Sequence, residues 1–461
     1  MTTAPRKVEP KFTRIVADFF SDQGFEGEIG STPNTDVPFR ITGFTYSKQL
    51  GAAAGSWTLR VKSSDEEDLT QLWPDPEDVW VWIYGQNGTE QIPILLGLIN
   101  SVRESMRRNS KGERSVGYSI HGSDFGKIFE KTVLHINPYE LKGTLPTIPL
   151  YQALGDKITG SPSDMVRALV EAWLGNKGQA DGQWKMPNSL GGQLFFRKLK
   201  LEFGSTRGKT FDPSIYDIDQ TNGRNLWTTL QQYQNGLLNE MWPDLDPATG
   251  LDPALILRER PFPYQLQSGG GFHTREWDAL PTKVLEPKDV TAREMAIGNP
   301  DARFNYWALQ GEGLTGNGIS TDAILIEASS NTGVDFGEPG TCPIFNTESI
   351  RRHGFRKWVQ STRYIPFREG KASPGSDGGA YWQEALQWLK LLHDWYVVAP
   401  RQLSGTIELT RLHPDIRVGS RVREERHGGG SVLYYVEGVQ HLYSYPGTGE
   451  TTLTVTRGEF E

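Results

Sequence analysis

The chain has 461 residues, a formal net charge of −8, 23% charged residues and 36% hydrophobic residues. It has no apolar run of about 18 residues, which excludes a transmembrane helix, and its acidic balance argues against a general nucleic-acid binder, which needs a basic footprint. Cys342 is the only cysteine, so neither an intrachain disulfide nor a cysteine-based zinc site is expected.

The length predicts two to four domains. The N-terminal stretch "MTTAPRKVEPKFTRIVADFF" lacks the apolar core of a signal peptide, so the chain is expected to be made and kept in a cytoplasm. Fourteen tryptophans and 51 glycines suit a glycine-rich β protein with aromatic cores, and they also suit subunit interfaces or sugar platforms.

To about residue 125 the sequence reads as strands. "FRITGFTYSKQLG", "GSWTLRVKSS" and "EDVWVWIYGQNG" alternate apolar and polar residues, and "QNG" at 86–88 is a hairpin-turn signal. "LLGLINSVRESMRRNSKGERSVGYSIHGSDF" then reads as a hairpin. A helix is expected at "DFGKIFEKT" with Asp124 as its cap, and a second at "SPSDMVRALVEAWLGN" with Ser161 or Ser163 as cap. Met165, Val166, Leu169, Val170 and Trp173 form the apolar face of that second helix. "GRNLWTTLQQYQNGLLNEMWP" places Leu226, Leu230, Tyr233 and Leu237 at helical spacing up to Pro243. "ALILRERPFPY" is a strand, and "GAYWQEALQWLKLLHDWYVV" is a further helix. The loops at 142–163, 175–195, 266–275 and 368–380 are long for a compact domain and suggest surface contacts. "YYVEGVQHLYSYPGTGETTLTVTRG" is an antiparallel hairpin, with Val436, Val439, Leu442 and Tyr443 on one arm and Leu453 and Val455 on the other.

A repeat of pattern links the two ends of the chain. Gly97-Leu98-Ile99 aligns with Gly438-Val439-Gln440, and each leads through a strand to a Gly-Glu turn (Gly112-Glu113, Gly449-Glu450). The return strands are "RSVGYSIHG" and "TTLTVTRG". "EDVWVWIYG" matches "DIRVGSRVREE" in role, and "GSWTLRVKSS" matches "SGTIELTRLHP". Two β-units of similar strand order are expected.

Candidate chemistry is sparse. Asp65, Glu66, Glu67, Asp68, Asp75, Glu77 and Asp78 crowd a connection between strands, where a solvated acidic loop is the ordinary outcome; a glycosidase needs two carboxyls across a rigid groove. "DLDPATGLD" at 244–252 lacks the spacing of a calcium loop. His121, His135, His273, His353, His393, His413, His427 and His441 are scattered singly, without metal-ligand spacing. "HGSD" at 121–124 is too local for a catalytic triad, and Cys342 has no histidine near it in sequence. "GGQLFFRKLKLEFG" mixes aromatic and basic residues, as nucleic-acid clefts do, but strand alternation accounts for it. The glycine turns at 311–318 lack the setting of a phosphate loop. No catalytic residue, cofactor or metal site is expected.

The run "ESIRRHGFRKWV…LSGTIELTRLHPDIRVGSRV…YYVEGVQHLYSYPGTGETTLTVTRG" resembles the central baseplate hub protein of contractile-tailed bacteriophages. That family includes late control protein D and the N-terminal part of type VI secretion spike proteins. The matching positions are Glu348-Ser349-Ile350 with Gly354, Ser404-Gly405-Thr406, Pro414 with Ile416-Arg417-Val418-Gly419, Tyr434 to Val439, and Leu453 to Gly458. Trp57 to Phe129 and "DVTAREMAIGNPDARFNYWAL" also fit.

The resemblance implies a β-dominated α+β chain with two tail-tube-like barrels and helical and loop insertions. Three copies would form a ring of pseudo-six-fold symmetry. It implies a first barrel with a short helix at 1–135, an insertion at 136–284, a second barrel from 285–330 and 398–461, and a helical insertion at 331–397. The implied role is a structural, non-enzymatic hub in the virion tail baseplate, assembled in the host cytoplasm, that adapts a six-fold tail tube to a three-fold spike. Implied partners are two further copies, the tail tube or tube-initiator protein, the central spike, baseplate wedge proteins and the tape-measure protein, with DNA passing through the lumen and no membrane insertion. A lumen that releases DNA should present acidic and small polar side chains. Arg351, Arg352, Arg356 and Lys357 are then expected to face protein neighbours. The alternatives are a tail-associated cell-wall polysaccharide hydrolase using the 65–78 carboxylates, or a carbohydrate-binding protein using its tryptophans.

Overall fold

The computed structural model describes residues 14–21, 24–31, 39–63, 79–87, 90–108, 114–133, 161–174, 199–204, 206, 224–247, 249–262, 275–297, 303–311, 344–362, 378–397, 399–447 and 449–461. The first unit contains β1 (Arg14–Ser21), β2 (Gly24–Gly30), β3 (Phe39–Gln49), β4 (Ser56–Ser63), β5 (Trp80–Asn87), β6 (Glu90–Arg108) and β7 (Arg114–Asp124). Alternation in β4, and in β3 on either side of one extra residue at Thr42, turns Ile41, Phe44, Tyr46, Trp57, Leu59 and Val61 to one side. Ile15, Phe19, Val81, Ile83, Leu95, Ile99 and Ile120 meet them there in one core. Trp57 lies across that core against bare backbone. A Cβ on Gly122 would sit 2.1 Å from its ring, and one on Gly97 2.5 Å from its indole nitrogen.

The middle of the chain supplies α1 (Lys127–Lys131), α2 (Pro162–Leu174), β8 (Lys200–Phe203), α3 (Leu226–Tyr233), β9 (Asn239–Leu245) and β10 (Pro253–Glu259). Met165, Val166, Leu169 and Val170 of α2 pack with Leu226 and Leu230 of α3 over a three-stranded sheet in the order β8-β10-β9. A reciprocal capping box starts α2: the Ser161 hydroxyl accepts from the Asp164 N–H, and Asp164 accepts from the Ser161 N–H. The expected helix up to Pro243 stops at Tyr233 instead. Asn235 adopts a positive φ of 54°, and β9 begins at Asn239, so Leu237 is not part of a helical stripe.

Next come α4 (Arg275–Ala279), β11 (Thr282–Leu285), β12 (Val290–Ala296), β13 (Tyr306–Gly311), β14 (Ile344–Phe345), α5 (Thr347–His353), β15 (Lys357–Thr362) and α6 (Gly378–Val397). β13 pairs with β14 and β15 in a separate sheet, and Trp307, Trp358, Trp388, Leu392 and Trp395 form the core beneath α6. The chain then runs through β16 (Leu403–Leu409), β17 (Arg421–Glu425), β18 (Ser431–Ser444) and β19 (Glu450–Phe460).

The fold is β-dominated α+β. Instead of two separate closed barrels, the described strands of both units make one thirteen-stranded sheet. The reason is β18, whose 14 residues serve both units: 431–435 pair with β17, and 438–444 pair with β3. Within the first unit β2 comes alongside β3 over the shared core, with no ladder between them among the described residues. Among the described residues no helix is long and apolar enough to cross a membrane.

Candidate functional site

The two units use one strand order. The first runs β3-β4-β7-β6-β5-β1 and the second β12-β16-β19-β18-β17-β11. The first five strands of each series are antiparallel to their neighbours. At the sixth place the direction differs: β1 is antiparallel to β5, whereas β11 is parallel to β17. Two of the irregularities also coincide. Thr42 is the extra residue between Ile41 and Gly43, and Thr291 the extra residue between Val290 and Ala292. Asn100 bulges two residues after Leu98, the partner of Trp80 at the start of β5. Glu437 bulges two residues after Tyr435, the partner of Arg421 at the start of β17. A bulge bends a strand and raises its twist, so shared bulges give the units shared curvature.

These anchors correct the sequence alignment of the repeat. Gly97 corresponds to Tyr434, and Gly438 corresponds to Ser101, a shift of four from matching the glycines. The Glu437 bulge also reverses facing within β18. Beyond it Val439, His441 and Tyr443 are buried, whereas Leu442, on the same arm, alternates to the other face and is 43% exposed.

The join between the units is a buried polar and aromatic layer. His441 stacks on Tyr46 at 6.1 Å and shares a 3.0 Å hydrogen bond with the Thr451 hydroxyl. Burial, with Arg417 and His413 nearby, lowers the His441 pKa to about 3, so the ring is neutral. Beside it Lys48 Nζ donates to Asp124 Oδ2 at 2.6 Å, and the Gly55 N–H donates to the same oxygen at 2.8 Å. Burial pushes the Asp124 carboxyl up, and Lys48 and Gly55 only partly offset that. Asp124 is therefore not chiefly a helix cap. Its other oxygen accepts from the Gly126 N–H at 3.0 Å, and the short helix α1 has no side-chain cap.

Arginines fasten the central sheet to both units. Arg417 donates to the Pro93 and Ile94 carbonyls of β6 and, at 3.0 Å, to Asp244 of β9. Arg258 of β10 donates to Glu240 at 2.9 Å, to the Gly419 carbonyl at 2.6 Å and to the Tyr435 hydroxyl at 3.0 Å. Arg457 lies between the rings of Phe262 and Tyr435, 4.2 Å from each centroid. Each of these cations has acceptors or aromatic faces within the fold. They hold parts of the fold together.

The carboxylates at 65–78 lie outside the described residues, as do His135, His273, Cys342 and most of the long loops. The 244–252 segment closes on itself: Asp246 accepts from Lys200 at 2.6 Å and from Thr249 at 2.8 Å. Among the described residues no group of three or more His, Cys, Asp and Glu is placed to hold a metal ion. Arg351 and Arg352 both reach Glu348 on the exposed α5, so part of that cluster's charge is neutralised locally. The Arg356 N–H donates to Asn305, and Lys357 opens β15 as an exposed residue. Long-range ties such as Arg417 to β6 left no signal in the sequence, because partners more than 300 residues apart share no local pattern.

No protein-family model matches the chain, and no curated protein matches it. Solved structures similar to it include the following three. A tail protein from Neisseria meningitidis MC58 is 12% identical, with 96% of each chain covered and a TM-score of 0.49. A 43 kDa tail protein of prophage MuSo2 from Shewanella oneidensis is 11% identical, covering 96% of this chain and 98% of that one, with a TM-score of 0.49. An Escherichia coli component of the type VI secretion system, described as structurally similar to T4 bacteriophage tail proteins, is 10% identical. It covers 91% of this chain and 73% of that one, with a TM-score of 0.42.

Proposed function

We propose that this protein is a structural hub of a phage tail baseplate. Three copies form a ring that adapts a six-fold tail tube to a three-fold central spike and surrounds part of the DNA path. The observation that carries the reading is the duplicated strand order, with coincident bulges, in one continuous sheet. A chain that presents the same β-unit twice offers a neighbour with six-fold symmetry one unit per contact, while three chains retain three-fold symmetry elsewhere. The ordered series of residues resembling baseplate hubs supports the same reading. The proposed partners are the tail tube or tube initiator, the spike, wedge proteins and the tape-measure protein.

Among the described residues, Lys48, Asp124, Arg258 and Arg417 at the join tie the units together, which supports the mechanical rather than enzymatic role we assign. Mass measurement of the full chain, alone and with its spike protein, tests the proposal; three copies are expected. A chain that remains monomeric within assembled tails overturns it. So does purified protein that cleaves peptidoglycan and loses that activity when Asp65, Glu66, Asp75 and Glu77 become amides.

A further inference from the structure

The join between the two units inside one chain has an open counterpart elsewhere on the molecule. Internally, residues 438–444 of β18 pair with residues 43–49 of β3. The repeat puts two other segments in those places. Residues 101–107 of β6 follow the Asn100 bulge as 438–444 follow the Glu437 bulge. β12 and the residue after it correspond to β3, bulge for bulge. Yet among the described residues 101–108 pair only with β7, and β12 pairs only with β16. Both edges are exposed: Met106 shows 52% of its surface and Ile297, just past β12, shows 63%. Exposed strand edges are ordinarily covered or blunted, because they template further pairing.

We propose that these two edges pair with each other between copies of this chain, in the antiparallel register of the internal join. Transferring that register sets Val102 opposite Ile297, Glu104 opposite Met295, and Met106 opposite Arg293. In the internal join the corresponding pairs are Val439 with Lys48, His441 with Tyr46, and Tyr443 with Phe44. The two exposed apolar side chains then fall on one face of the seam, the face that the internal join buries. Charge follows the same register. Glu104 lies diagonal to Arg293, and Arg103 lies diagonal to Glu294, within reach of long side chains on neighbouring strands. One edge comes from each unit, so the contact is head-to-tail and propagates around a ring. Only the number of copies rests on the hub reading; the seam rests on the repeat.

The test uses the full chain with Cys342→Ser. Cysteine pairs in register, Glu104→Cys with Met295→Cys and Ser105→Cys with Glu294→Cys, should give intermolecular disulfides on mild oxidation. The displaced pair Ser105→Cys with Ala292→Cys should not. Arg103→Glu or Glu294→Arg alone should weaken association by about tenfold, and the two together should restore it. A chain that stays monomeric at every accessible concentration overturns the seam. So does an oligomer that links only through the displaced pair, or charge reversals that fail to compensate. In-register links in a ring of other than three copies keep the seam and sink the hub. A trimer linked only through the displaced pair sinks the seam and keeps the hub.

Discussion

The two β-units share strand order and bulges, but they treat their hairpins differently. In the second unit the β18–β19 hairpin is covered on its free side by β3, and Val439, His441 and Tyr443 are buried. In the first unit the corresponding stretch of β6 carries Arg103, Glu104 and Met106, all exposed. Arg457, beside the second unit's aromatic rings, occupies the place that Asp124 holds beside Lys48 in the first. One backbone plan therefore tolerates opposite charges and opposite solvation at equivalent points. The shared plan lies in ladders and bulges, while side chains decide which edges are closed within the chain.

Deletion breaks the comparison most forcefully. Removing residues 434–461 strips β19 and most of β18 from both units, exposing the β3 edge and two cores. Insoluble protein is expected; a soluble, cooperatively unfolding product would show that the units do not depend on the shared strand. Removing residues 106–115 from the β6–β7 tip should instead leave a folded chain, read by circular dichroism.

Next in size is Asp124→Ala, which leaves Lys48 buried without its partner. A loss of about 3–5 kcal/mol is expected by chemical denaturation, and a loss under about 1 kcal/mol would mean the ion pair is dispensable.

His441 probes the join by pH. Its folded pKa lies below the unfolded value of about 6.5, so its contribution is complete above that value and is lost as pH falls toward 3. Relative to His441→Asn, the wild-type chain should lose about 2 kcal/mol between pH 7 and pH 4.5. Parallel pH profiles for the two proteins would refute a neutral, buried ring.

The smallest effect has the opposite sign and belongs to the first unit. Burial, and then Glu28 directly across the β1–β2 ladder, raise the Asp18 pKa to about 6. The folded state then binds a proton more tightly than the unfolded state, so stability declines as pH rises from about 4 through 6. Asp18→Asn should be more stable than wild type at pH 8 by about 1 kcal/mol, discounted because the group is partly exposed, and equal to it at pH 4. No gain at pH 8 would show that solvent screens the pair.

Much of the sheet was legible because half-buried strands write period-two alternation into the sequence. The β18–β19 hairpin and the matched roles of β5 with β17, and of β4 with β16, could be read that way. Register could not. Matching Gly97 to Gly438 follows residue identity, whereas the true equivalence follows the bulges, which leave no fixed residue signature; here the extra residues are Asn100 and Glu437. The helix extended past Tyr233 failed because Leu237 happens to fit a 3.6-residue period, while the backbone at Asn235 breaks the turn. Asp124 looked like a cap because its local neighbours suit one, and its principal partner, Lys48, is 76 residues away.

The shared strand also sets an order of events during synthesis. Gln49 must wait for Gly438, about 390 residues later, before the β3 edge is paired. At typical ribosomal rates of about 5–20 residues per second, that edge stays open for roughly 20–80 s on each nascent chain. Several chains translated side by side on one message would expose the same edge together, which makes β3 the strand most open to pairing between nascent chains until the last hairpin emerges.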